Sequence, residues 1–292
     1  MKNPFLGTGV ALVTPFNSDL SIDFDALKKL VRYQIDNGTN FLVVQGTTGE
    51  SPTLSHDEKM AVLEAVAEEN AGALKIVFGV GGNDTRRIGE AVRNLPASVD
   101  GILSVSPYYN KPLQAGIVAH FKHIASCTEL PIILYNVPGR TSSNMLPGTT
   151  LELAKVGNIV AVKEASGDFS QIMEIVHARP EGFGVLSGDD AIIMPLISVG
   201  VDGVISVVAN ALPAKFSGMI KAALDGDFSK AKDLHYDLMA STTMYFAEGN
   251  PGGVKVALEE QGLMNSAMRL PLVPVSAGLN AAIRAETKRI LS

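Results

Sequence analysis

Lys163 stands inside "VAVKEASG", a run of small and β-branched residues, and Tyr135 ends a similar run in "ILYNVPGR". An unpaired charge buried among apolar neighbours costs several kcal/mol, so such a lysine must find a counter-charge or give up its proton. Strand alternation puts Lys163 on the face of Ile159 and Ala161, with Val160, Val162 and Glu164 on the other. One reading is a structural ion pair with Glu164 or another carboxylate. The other is an amine kept uncharged by desolvation and able to attack a carbonyl carbon. Tyr135 and Tyr109, the latter in "SPYYNKP", both fall at the ends of strand-like runs. A phenol within hydrogen-bonding reach could move the protons that imine formation and breakdown require, although either ring alone is more often core or surface filler.

Further polar groups gather at other strand ends. "QGTTGES" offers Thr47, Thr48 and the amides of a glycine-rich turn, which could converge on a carboxylate or be an ordinary strand-to-helix connection. Arg140, after "NVPG", can fork onto a second carboxylate or be a solvated loop arginine. In "LSGDD", Asp189 and Asp190 are adjacent and no histidine sits at an expected strand end, so a metal pair is rejected and Asp190 is read as the start of a helix. "GVGGND" has Asp84 where a dinucleotide loop needs its third glycine. The single cysteine, Cys127, cannot form a disulfide within the chain and reads as a small buried hydrophobe.

The elements that must position these residues are legible in the pattern. Eight short apolar runs, from "GVALVTPF" to "DGVISVVAN", alternate with amphipathic segments: Asp23 to Asn37 capped by Ser21, Asp57 to Asn70 capped by Ser55, Thr85 to Asn94, and Gln114 to Thr128. That is the count for a (β/α)8 TIM barrel, with the chemistry expected on loops at the C-terminal strand ends. An open doubly wound sheet is the rival. Beyond Asp225 no strand is expected, so residues 1–225 read as the barrel and 226–292 as a C-terminal helical extension broken at "EGNPGG" and "RLPLVP".

With 292 residues, 46% of them hydrophobic, the chain can build a large core. A net charge of -6 disfavours nucleic acid as a partner. Pro4, Gly7 and Gly9 interrupt any signal-type run and nothing approaches the length of a membrane span, so a soluble cytoplasmic protein is expected.

Taken together, "GTTGES", "SPYYNKP", "LYNVPGRT", "VKEASGD", "LSGDD" and "GVISVVAN" resemble the dihydrodipicolinate synthase / N-acetylneuraminate lyase family of pyruvate-dependent aldolases, in order from Gly9 to about Asn210. The helical tail fits the same family. The Thr47–Thr48 pair and Arg140 resemble the branch that condenses pyruvate with L-aspartate 4-semialdehyde in the diaminopimelate route of lysine biosynthesis. The alternative is a sugar-acid aldolase of the family, an N-acetylneuraminate lyase or a 2-keto-3-deoxy acid aldolase. A barrel that only binds a metabolite is the reading from another class.

The resemblance implies a role for each position. Lys163 would form the Schiff base with pyruvate, and Tyr135 would act as general acid and base. Thr47 and Tyr109 would complete the proton relay, Tyr109 reaching in from the neighbouring subunit. Thr47 and Thr48 would bind the pyruvate carboxylate, Arg140 the carboxylate of the semialdehyde, and the backbone carbonyls of Gly188 and Ile205 would orient reacting groups. No metal or organic cofactor is implied, and the assembly would be a homotetramer built as a dimer of dimers. Arg87 stands where lysine-inhibited relatives carry an acidic residue, which implies weak feedback inhibition.

Overall fold

The computed structural model describes residues 3–292. Eight parallel strands close into a barrel in chain order, as the alternating pattern predicts. They are β1 (Gly7–Ala11), β2 (Phe41–Val44), β3 (Lys75–Gly79), β4 (Gly101–Val105), β5 (Ile132–Asn136), β6 (Ile159–Glu164), β7 (Gly184–Ser187) and β8 (Gly203–Ser206). Most are buried along their whole length, because a parallel barrel covers both faces of each strand and leaves no polar side to alternate with. The helices are α1 (Phe24–Asp36), α2 (His56–Asn70), α3 (Thr85–Arg93), α4 (Gln114–Ala125), α5 (Pro138–Thr141), α6 (Pro147–Leu153), α7 (Phe169–Ala178) and α8 (Ile193–Ser198), followed by α9 (Pro213–Leu224), α10 (Phe228–Phe246), α11 (Gly252–Glu260) and α12 (Ala277–Leu291). Only helices and turns follow β8, as expected for the tail.

Two compact units divide the chain, one made of Met1–Leu6 and Lys75–Ile205, the other of Gly7–Leu74 and Ser206–Ser292. In the first, strands β3 to β8 run side by side with one helix or more after each of β3 to β7. Gly101 and Gly184 are glycines for lack of room: an added Cβ would stand 2.5 Å from the Phe5 ring and 2.0 Å from the Asn3 amide. In the second unit α9 packs on β1 and α10, and α12 packs on α10 and α11. Asn210 ties the last strand connection to the first strand, with Nδ2 donating to Ala11 O at 2.8 Å and Oδ1 accepting from Val13 N at 3.1 Å.

Helix starts follow the local side-chain chemistry. Ser55 and Glu58 form the reciprocal capping box of α2, as the sequence predicts for Ser55. Asp84, which disqualifies a dinucleotide loop, caps α3 by accepting from the amides of Arg86 and Arg87. The expected Ser21 cap is corrected: Asp23 caps α1 through Ala26 N at 2.9 Å, while the Ser21 hydroxyl donates to Asp19 at 2.6 Å. Asp190 likewise does not begin a helix; it lies buried in the turn before α8, whose cap position is Ile192. Cys127 is buried, as expected of a small hydrophobe.

Candidate active site

The register of β5 on β6 sets Tyr135 beside Lys163. Neighbouring parallel residues share a face, so both side chains leave the sheet on the same side. Both are buried, at 8% and 7% exposure, and Lys163 Nζ lies 4.3 Å from the centroid of the Tyr135 ring. Among the described residues Lys163 has no carboxylate partner and the Tyr135 hydroxyl has no hydrogen-bond partner. The structural ion pair is thereby eliminated. The arrangement leaves a buried lysine whose amine lies against a phenol ring and is paired with no carboxylate among the described residues.

Glu164 is engaged elsewhere, on the opposite face of β6, where α7 covers the strand. Its carboxylate accepts from Asn136 Nδ2 at 3.0 Å, from Gln171 Nε2 at 2.9 Å and from Ser166 N at 2.9 Å. Burial pushes its carboxyl above the ordinary range, and the bonds from Gln171, Asn136 and Ser166 oppose that rise. Asn136 is itself held by Asn144 Oδ1 at 2.8 Å and by Met145 N, which donates to its Oδ1 at 2.9 Å. This network joins the ends of β5 and β6, and so fixes the register that places Tyr135 against Lys163. Sequence reasoning missed it, although alternation had already put Glu164 on the face away from Lys163.

Gly188, just beyond β7, donates its amide to Glu164 O at 2.7 Å. A Cβ there would lie 2.8 Å from Lys163 Cε and 2.7 Å from Ala165 Cβ, so the lysine stem crosses this glycine in contact. Gly188→Ala is expected to displace the amine and slow its reaction with a carbonyl compound by about 10- to 100-fold, the scale of a misplacement near 1 Å. Rates of adduct formation on Lys163 by mass spectrometry check this; an unchanged rate would remove the steric role. Ile205 is buried on β8.

Two other expected residues lie on exposed segments. Arg140 sits in the single turn α5, exposed, with no side-chain partner among the described residues. Tyr109 is 88% exposed with a left-handed φ of 73°, and Tyr108 and Leu113 beside it are also exposed. Neither Tyr109 nor Arg140 is hydrogen-bonded to Tyr135 or Lys163.

The Thr47–Thr48 turn belongs to the second unit. Thr47–Gly49 form one 3₁₀ turn after β2, in which Gly49 N donates to Gly46 O at 3.1 Å. The amides of Thr47 and Thr48 precede that first internal bond and are left as donors. A Cβ at Gly49 would fit tightly, 3.1 Å from Leu12 O, and Thr14 Oγ1 donates to Gly49 O at 2.7 Å. Thr48 is buried and its Oγ1 accepts from Asn250 Nδ2 at 2.9 Å, which leaves the hydroxyl proton free to donate; Thr47 is exposed. The bond to Asn250 was not foreseen from sequence. Among the described residues no cluster of three metal-ligating side chains exists.

The chain is similar to known proteins over nearly its whole length. The profile of the "Dihydrodipicolinate synthetase family" matches residues 4–290. A 4-hydroxy-tetrahydrodipicolinate synthase of Flavobacterium psychrophilum is 49% identical over 288 residues, covering 98% of each chain. The crystal structure of dihydrodipicolinate synthase from Aquifex aeolicus superposes with a TM-score of 0.94 at 41% identity, covering 98% of each chain. A structure of the Acinetobacter baumannii dihydrodipicolinate synthase complexed with pyruvate gives 0.94 at 39% identity, again over 98% of each.

Proposed function

Since the chain belongs to the dihydrodipicolinate synthetase family, we propose that Lys163 is the amine through which it joins pyruvate to L-aspartate 4-semialdehyde. Its activity is that of a 4-hydroxy-tetrahydrodipicolinate synthase, a lyase of the Schiff-base aldolase type in lysine biosynthesis. The observation that carries the residue assignment is the buried, unpaired amine of Lys163 against the Tyr135 ring.

In this reading Lys163 Nζ adds to the keto carbon of pyruvate, and loss of water leaves an iminium. The iminium draws electrons from the neighbouring methyl carbon, which releases a proton and becomes the enamine nucleophile. That carbon attacks the aldehyde. The amine of the semialdehyde then adds to the former keto carbon and displaces Lys163 as the ring closes. Tyr135 gives and takes the protons of carbinolamine and enamine, in a relay with Thr47 and the neighbouring subunit's Tyr109. The exposure of Tyr109, Tyr108 and Leu113 supports a subunit contact there, within a homotetramer of two dimers. Thr48 and Thr47 receive the pyruvate carboxylate, and the free donors of their turn support this. The carbonyls of Gly188 and Ile205 orient the reacting groups. Residues 1–225 form the catalytic barrel and 226–292 its helical extension. The reading places the enzyme in the cytoplasm; among the described residues no helix is long and apolar enough to cross a membrane.

Arg140 takes the semialdehyde carboxylate, a role supported by its unpaired guanidinium. Arg140→Ala is therefore expected to raise the KM for the semialdehyde about 10- to 100-fold, the size of one lost hydrogen bond to a charged group, with pyruvate adduct formation unchanged. Equal damage to both would refute the role. The function itself is tested by incubating the protein with pyruvate and borohydride, then with both substrates. A stable three-carbon adduct on Lys163 and ring formation from the semialdehyde are expected; turnover of N-acetylneuraminate in place of the semialdehyde would overturn the substrate assignment.

A further inference from the structure

Lys255 and Glu50 form an ion pair in which both side chains are fully buried, 0% exposed. Glu50 is the residue after the Thr47–Gly49 turn, a non-glycine held left-handed at φ 54°. Its Oε1 accepts from Lys255 Nζ at 2.5 Å and its Oε2 from Arg269 N at 3.1 Å. Lys255 is fixed in turn: it donates to Ala267 O at 2.8 Å and lies 4.5 Å over the Phe16 ring. Arg269 stacks on the same ring at 4.7 Å and donates to Glu58 and to Thr53 O, the residues that follow the turn. On the turn's other side, Asn250 Nδ2 donates to Thr48 Oγ1. Both ties come from chain more than 200 residues away, 205 for Lys255 and 202 for Asn250.

A buried ion pair is a poor source of stability, because desolvation of both charges offsets their attraction, and apolar replacements of like volume are often neutral or stabilising. What such a pair specifies is geometry. Here Glu50 meets Lys255 with its backbone held left-handed at φ 54°, and that angle sets the exit of the turn carrying Thr47 and Thr48. We propose that Lys255, acting through Glu50 and alongside Asn250, is a positioning residue for the carboxylate-binding turn. The proposal rests on the reading of that turn as the pyruvate carboxylate site. Its consequence is specific: loosening the pair weakens pyruvate binding and, because Thr47 lies in the same turn, slows the proton relay, while the handling of the aldehyde stays largely intact.

The test is steady-state kinetics on the full-length chain carrying Glu50→Gln and Lys255→Met together, which removes both charges and strands neither. Its melting temperature is expected within a few degrees of the parent. The KM for pyruvate is expected to rise about 10-fold, roughly the worth of one misplaced charge-assisted hydrogen bond, with kcat at saturating pyruvate down by up to about 10-fold through Thr47 and the KM for the semialdehyde within about threefold. Asn250→Ala, at a half-buried position, serves as the second variant should the first not fold, with a pyruvate KM raised about threefold. A folded double variant with an unchanged pyruvate KM, or one in which kcat and both KM values worsen together, reduces the pair to a structural element and overturns the proposal. Borohydride trapping on the parent separates the two failures: no pyruvate adduct on Lys163 there defeats the functional reading, whereas trapping with an unaltered variant KM defeats only the positioning role.

Discussion

Lys163→Ala should abolish pyruvate trapping and lower kcat by about 10³-fold or more, the scale on which loss of a covalent nucleophile acts. The geometry makes this a test of chemistry and not of folding. The side chain is 7% exposed, yet it forms no ion pair or hydrogen bond, so its removal orphans no buried partner. What is lost to stability is the packing of an aliphatic stem against Gly188 and the Tyr135 ring, about 2–3 kcal/mol on the usual scale for buried methylenes. Lys163→Arg should be as inactive, since a guanidinium keeps its proton under all ordinary conditions and cannot offer a free nitrogen lone pair. The checks are a borohydride-dependent mass shift and a melting curve on the same samples. A variant that still forms the adduct at another lysine, with kcat within tenfold, would show that the nucleophile was misassigned.

How much of this was readable from residues alone depended on how far apart the partners lie in the chain. The two-residue period of a strand separates Lys163 from Glu164 yet leaves an ion pair with Glu164 or another carboxylate open; the bonds of Glu164 to Gln171 and Asn136, and the lack of a carboxylate beside Lys163 among the described residues, close it. Strand order predicts that Tyr135 and Lys163 lie on neighbouring strands, but their matching heights depend on a register irregularity at Ile132 and Ile133 that no sequence pattern announces. Ser55 was identifiable as a cap because Glu58 completes a four-residue motif, whereas Ser21 was mistaken for a cap since Asp23, two residues on, competes for the same amides. The pair Glu50–Lys255 and the bond from Asn250 to Thr48 link segments that no local pattern connects. Gly188 shows a third case. Resemblance suggested a use for its carbonyl, but the reason no larger residue fits is the lysine stem across its Cα, a contact that appears only when β6 and β7 are side by side. Arg140 and Tyr109 depend on loops, where backbone course is least constrained by pattern.

Tyr135→Phe carries the second large expectation: a fall in kcat of about 10²- to 10³-fold, within the range for a positioned general acid and base. The substitution keeps the ring that lies 4.3 Å from Lys163 Nζ and removes one oxygen that has no hydrogen-bond partner among the described residues. The buried site therefore loses no polar match, and the melting temperature should stay within a few degrees. The imine differs from the carbinolamine by a molecule of water, and expulsion of hydroxide from an uncharged carbinolamine is slow without a proton donor. Each later step again needs a proton moved at the same place, so the phenol is used repeatedly per turnover. Trapping by borohydride is an end-point measurement, and long incubation should still yield the Lys163 adduct, only later. Slow trapping with depressed kcat and an almost unchanged pyruvate KM would mark Tyr135 as the proton carrier. A kcat within threefold of the parent would transfer that duty to another group and leave the ring as a wall that keeps the amine dry.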